Sequence, residues 1–137
     1  MIYITRQEHF NAAHRLFRPE LTDEQNLEIF GKCSNPNWHG HNYQLFVTIK
    51  GEVNPETGFL INLKTLSKII NEKIIDKVDH RNFNLEVDFM QGVLPSAENI
   101  AISMWKEIEG TILEHGAQLH CIKLYETERN FVEYYGS

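Results

Sequence analysis

His39 and His41 stand two residues apart in Trp38-His39-Gly40-His41-Asn42-Tyr43. On an extended chain, residues i and i+2 project to one side with Cβ atoms roughly 6–7 Å apart. From that spacing two imidazoles reach one metal ion at about 2.0–2.1 Å. Gly40 between them leaves the opposite face bare. His14 ends Phe10-Asn11-Ala12-Ala13-His14, and if that segment pairs with the one holding His39 and His41, three imidazoles converge. Three neutral imidazoles leave a tetrahedral ion one open position, the mark of a catalytic zinc rather than a structural one. Any one of these histidines alone is as readily a solvated side chain at a strand end; the three together point to a metal.

Cys33 has two chemical readings. As a fourth ligand it closes the shell and makes a zinc-stabilised, non-catalytic module. As a thiolate base or nucleophile it leaves the metal open, since a nearby cation lowers a thiol pKa. Its loop of Gly, Asn and Pro residues favours exposure, whereas Cys121 falls inside an apolar segment and reads as a small buried hydrophobe. Asp79-His80 sets a carboxylate beside an imidazole, a common way to orient and charge a histidine. Glu126 follows Tyr125 at the end of an apolar run, where its carboxylate can accept two hydrogen bonds from a guanidine-like ring edge. His9, His115 and His120 have no such context and read as surface residues.

The elements that must position these groups follow from periodicity. Residues 2–13 lean toward a strand, and 17–38 hold Pro19, Asp23, Asn26, Gly31, Asn35, Pro36 and Asn37, a long loop of the kind that carries function, with a short helix over 24–30. Residues 41–52 alternate, with Tyr43, Leu45, Val47 and Ile49 on one face, which predicts a strand. The turn 54–58 leads to a short returning strand, Phe59-Leu60-Ile61. Leu63, Leu66, Ile69, Ile70, Ile74 and Val78 have helical spacing, so 63–77 is an amphipathic helix, followed by an irregular connection over 79–95. Ser96 caps a second helix that Gly116 stops. Strands over 119–126 and 130–135 complete an α+β domain covering residues 1–137: an antiparallel four-stranded sheet with two helices on one face.

The chain has 137 residues with 13 Lys plus Arg against 19 Asp plus Glu, a net charge of −6. An acidic balance argues against a general nucleic-acid binder, though local basic groups can still bind an anionic substrate. No apolar run approaches the ~18–20 residues that span a bilayer. The N-terminus lacks a basic stretch followed by an apolar one, and two distant cysteines do not make a disulfide scaffold, so a cytoplasmic protein without membrane or nucleic-acid partners is expected.

Together these segments resemble the 6-pyruvoyl-tetrahydropterin synthase family over nearly the whole chain. The resemblance rests on Phe10 to Leu16, on Phe30-Gly31-Lys32-Cys33 through His39-Gly40-His41-Asn42-Tyr43, and on Gly58 to Lys64. Val78 to Asn82, Pro95 to Asn99 and Leu124 to Thr127 complete it. It implies that His14, His39 and His41 bind zinc, that Cys33 is the proton-abstracting base, that Asp79 and His80 complete a catalytic triad with it, and that Glu126 anchors the pterin ring. The implied substrate is the pterin triphosphate 7,8-dihydroneopterin triphosphate. The implied fold is the tunnelling fold, in which three sheets join in a barrel and two trimers stack in a hexamer with sites between subunits.

Within that family, Cys33 speaks against the folate type, which has Glu there. Five residues, Ser34 to Trp38, separate Cys33 from His39, and Asn62 follows Ile61; both resemble the biopterin-pathway enzymes. The alternative is 6-carboxy-tetrahydropterin synthase, which commonly has three residues in that gap and Asp in place of Asn62. Trp38 stands where the family favours a small residue, and its ring is expected to narrow the approach to the zinc.

Overall fold

A computed structural model describes residues 1–137. Two long strands, β1 (Ile2–His14) and β2 (His39–Gly51), pair antiparallel along their whole length, from Ile2 opposite Gly51 to His14 opposite His39. Strand alternation then sets one face for the core: Phe10, Ala12 and His14 on β1 lie beside Tyr43, His41 and His39 on β2. Between the two strands run α1 (Asp23–Phe30) and a single 3₁₀ turn, Gly31–Ser34.

After β2 come α2 (Leu63–Ile70), a π-helical turn (Asn71–Ile75) and α3 (Asp76–Val78), then β3 (Arg81–Asn82), a 3₁₀ turn (Asp88–Met90) and α4 (Ala97–Glu114). Two strands, β4 (Gln118–Tyr125) and β5 (Phe131–Tyr134), end the chain, and the sheet order is β3-β1-β2-β4-β5. The α2–α3 segment offers Leu66, Ile70, Ile74 and Val78 to one continuous core; α4 offers Ile100, Met104, Ile108 and Ile112 to the same core against Leu45, Val47, Ile122 and Leu124. Each such side chain, fully buried, stabilises the fold by about 1.5–3 kcal/mol relative to exposure. Asn62 and Ser96 cap α2 and α4, each accepting a backbone N–H from the first turn.

The architecture is α+β with one sheet, as the periodicity predicts, but five strands replace four. The added β3 is two residues long and runs parallel to β1 at Ala12–Ala13, too short for alternation to reveal. Phe59-Leu60-Ile61 is not a strand: both edges of β2 are taken, by β1 and β4, so no ladder is open to a returning segment there, and it crosses as bends with Ile61 buried. The helix expected over 63–77 forms and runs to Val78, passing through the π turn, where the Asn71 side-chain amide donates to the Ser67 carbonyl (2.9 Å). Helix α1 follows the expected 24–30, and its capping box joins Thr22 and Gln25.

Candidate metal centre and active site

The β1–β2 register puts His14 directly opposite His39, with His41 one inward-facing position along. Ring centroids are 4.5 Å apart for His14–His39, 5.1 Å for His14–His41 and 5.0 Å for His39–His41. One ring nitrogen from each lies within 4.8 Å of the others. His14 Nδ1 lies 2.8 Å from the Pro95 carbonyl; as donor in that bond it leaves Nε2 as a lone pair. His14 Nε2, His39 Nδ1 and His41 Nε2 are buried without a hydrogen-bond partner, which ordinary packing does not tolerate in a cluster. Burial lowers all three pKa values below the usual histidine range, with neighbouring imidazoles adding to the effect. Neutral, unpartnered and convergent, the three imidazoles could hold a metal ion.

Beneath them lies Tyr43, fully buried, its ring 5.5 Å from that of His41 and stacked on Phe10 at 4.8 Å. Its hydroxyl also has no partner, and burial pushes its pKa up. Tyr43 as the floor of the site, and Pro95 as the carbonyl that orients His14, were not singled out from the sequence. The first was available, since 39, 41 and 43 share a strand face; the second spans 81 residues and has no local signal.

Helix α1 delivers Cys33. It ends at Gly31, whose φ of 60° and ψ of −140° turn the chain sharply into the 3₁₀ turn. The turn carries Cys33 into a cavity of about 710 Å³ that His39 and His41 also line. Cys33 is not a member of the three-nitrogen cluster. Burial pushes its thiol pKa up, and the Glu126 carboxylate adds to this; lowering it calls for a cation beside the thiol. Glu126 follows β4 directly. Its carboxylate lies 3.7 Å from His41 Nε2, three-quarters shielded from solvent.

Asp79 and His80 lie elsewhere. The Asp79 carboxylate accepts the Asn11 backbone N–H at 3.0 Å and sits 3.0 Å from His80 Nδ1. The Asn11 N–H, then His80, hold its pKa below the usual carboxylate range. The His80 N–H donates to the Asn11 carbonyl (2.6 Å), and its side chain is 78% exposed. His80 borders a shallow depression with Asn11, Gly40 and Arg81, whereas Cys33 borders the histidine cavity. Within one chain the pair is not joined to Cys33.

Trp38 does not narrow the Cys33 cavity. It lines a separate depression with Phe17, Leu85, Leu94 and Pro95. Its φ of 66° is in the left-handed region, which glycine adopts without strain and a residue with a Cβ does not. Of the remaining histidines, His9 and His115 are exposed, but His120 is half-buried, edge-on to Tyr3 at 4.8 Å and 5.5 Å from Tyr135.

A family model described as 6-pyruvoyl tetrahydropterin synthase matches residues 3–137. The 6-pyruvoyl tetrahydrobiopterin synthase of Pongo abelii is 44% identical over 133 residues, covering 97% of this chain and 90% of its own. That of Homo sapiens is 42% identical with the same coverage. The structure of Caenorhabditis elegans 6-pyruvoyl tetrahydropterin synthase superposes with a TM-score of 0.90 at 38% identity, covering 99% of this chain and 96% of that one.

Proposed function

The chain belongs to the 6-pyruvoyl tetrahydropterin synthase family, and from that premise we propose that it is a lyase that eliminates triphosphate from 7,8-dihydroneopterin triphosphate to give 6-pyruvoyl-tetrahydropterin. The observation that carries the reading is the set of three neutral, unpartnered imidazole nitrogens within 4.8 Å of one another, beside a cavity shared with Cys33.

His14, His39 and His41 would hold zinc, and bound there it supplies Lewis-acid polarisation of the substrate side-chain oxygens. The chain's own residues do the rest. The part-buried Glu126 carboxylate beside His41 receives the amino-pyrimidine edge of the pterin through paired hydrogen bonds, which fixes the side chain over the histidines. Cys33 removes the proton from the side-chain carbon next to the ring. Loss of triphosphate and redistribution of electrons within the side chain follow, so no nicotinamide is required. The chain has neither a G-x-G-x-x-G nor a P-loop motif.

His80, held by Asp79 with one nitrogen engaged and its ring exposed, exchanges the proton with Cys33. Because the two lie apart in one chain, the Asp79–His80 pair serves the Cys33 of a neighbouring copy. The sheet suits such assembly: β3 covers β1 only at Ala12–Ala13, β5 is an outer strand, and Tyr3, Phe131 and Tyr135 are exposed nearby. On this reading the protein is a homohexamer, a dimer of trimers. No helix is long and apolar enough to cross a membrane, and two unpaired cysteines suit the cytoplasm.

The five-residue gap between Cys33 and His39, together with Asn62, favours the pyruvoyl product over the 6-carboxy one. The 6-carboxy product needs a further carbon–carbon cleavage that releases acetaldehyde. Incubation with dihydroneopterin triphosphate is expected to yield inorganic triphosphate and no aldehyde. Stoichiometric acetaldehyde would overturn the product assignment, and absence of triphosphate would overturn the reaction.

A further inference from the structure

We propose that Arg15 is a positioning residue that sets the place of Cys33 relative to the three histidines. The inference rests on the reading of Cys33 as the base. Cys33 sits on a turn outside the sheet, and that turn is fastened to the two residues that leave β1 after His14. The Leu16 N–H donates to the Cys33 carbonyl at 2.8 Å, and the Arg15 Nε–H donates to the Ser34 carbonyl at 2.7 Å. The residue that follows one metal ligand in the chain therefore grips the turn that carries the thiol.

Arg15 is itself immobilised from three sides. Asn84 bonds its backbone twice, accepting its N–H and donating to its carbonyl, both at 2.9 Å. Its guanidinium lies 3.9 Å over the Phe17 ring, in a cation–π contact. Its far end reaches Asp23 on the first turn of α1 at 3.4 Å, and the side chain is only 12% exposed. Asp23 is 81% exposed, so that ion pair contributes little; the bond to Ser34 is the one made out of water. Ser34 is buried, and its hydroxyl donates to the Gly31 carbonyl at 2.8 Å, so the grip passes through the whole turn. The planar guanidinium presents its donors in fixed directions, so with the ring of Phe17 under it the Nε–H stays aimed at the Ser34 carbonyl. Proton removal from carbon depends steeply on the approach of the base, and a displacement near 1 Å can lower the rate about a hundredfold.

The test compares wild type with Arg15→Ala in the full-length, metal-loaded protein. Hydrogen exchange read by mass spectrometry is expected to accelerate in the peptides holding Leu16 and the Gly31–Ser34 turn, with those of β2 and β4 unchanged. Metal content is expected to stay at the wild-type level. With dihydroneopterin triphosphate, kcat is expected to fall roughly ten- to a hundredfold while KM moves less than about twofold. Wild-type exchange at Leu16 and the turn overturns the proposal, as does loss of metal, which would place the effect on His14. Should Arg15→Ala fail to fold, Arg15→Met keeps an apolar stem over Phe17 without the donor, and the same readouts apply. A wild type that releases no triphosphate refutes the proposed reaction, while exchange and metal content, which need no substrate, still decide whether Arg15 fastens the turn.

Discussion

The two proposed roles of Cys33, ligand or base, make different demands on the groups around the orphaned nitrogens. Those atoms belong to His14, His39 and His41, and Cys33 stands apart from them in the adjoining cavity. His39→Ala is therefore expected to abolish bound metal, while Cys33→Ala keeps the metal and loses turnover. Metal analysis of the two purified variants checks this, and a metal-free Cys33→Ala protein would favour the closed structural site. The same histidines make the metal-free protein acid-sensitive. Burial holds their pKa values below the ordinary 6.5, so below that pH the unfolded chain binds protons that the folded chain refuses. Their contribution to stability is full above about pH 6.5 and is lost as pH falls through the depressed values. The urea midpoint of metal-free protein should drop between about pH 7.5 and about pH 5.5, and His39→Ala should shallow that drop. An identical drop in both proteins would place the titration elsewhere.

At the scale of elements, the site depends on how α1 hands the chain to the Cys33 turn. Gly31 makes that junction at a backbone conformation that only glycine adopts freely. An added Cβ there would meet nothing within 4 Å, so the cost of Gly31→Ala is backbone strain alone, about 1–3 kcal/mol. Thermal or urea unfolding measures it; a loss below about 0.5 kcal/mol would mean that the turn relaxes. This junction was partly legible in the sequence. A short helix followed by Gly31 is a helix-stop pattern, but nothing local says that the next turn is tied to Arg15 and Leu16. Phe59-Leu60-Ile61 is the opposite case: its composition favours a strand, and the occupied edges of β2 forbid one.

For the whole molecule, Asp79–His80 and Cys33 line different depressions of one chain, and their cooperation requires a second copy. Cys33→Ala and His80→Ala proteins, each inactive alone, are expected to regain activity when dissociated and reassembled together. Random pairing restores about a quarter of sites shared between two copies. No recovery, with mixed assembly verified by mass, would mean that each chain uses its own pair. The proposed assembly would also cover the exposed Tyr3, Phe131 and Tyr135 and offer backbone partners to the outer strands of the sheet.

Spacing within a single element is set by covalent geometry, and this much the sequence determined alone. His39, His41 and Tyr43 share a strand face because side chains alternate, and Leu66, Ile70 and Ile74 share a helical stripe because the helix turns every 3.6 residues. The types of group, imidazoles with a thiol and carboxylates, also pointed to metal binding and proton transfer. Placement between elements rests on register and on contacts across many residues, which no local pattern encodes. The tertiary structure alone decided that His14 falls opposite His39, that the carbonyl of Pro95 orients it, and that Trp38 turns toward a different depression. It also decided that the Asp79 carboxylate, while touching His80, accepts the Asn11 N–H at a depression other than the one Cys33 lines. Each of these follows from which edges and faces remained free once the long strands had paired and the helices had covered one side of the sheet.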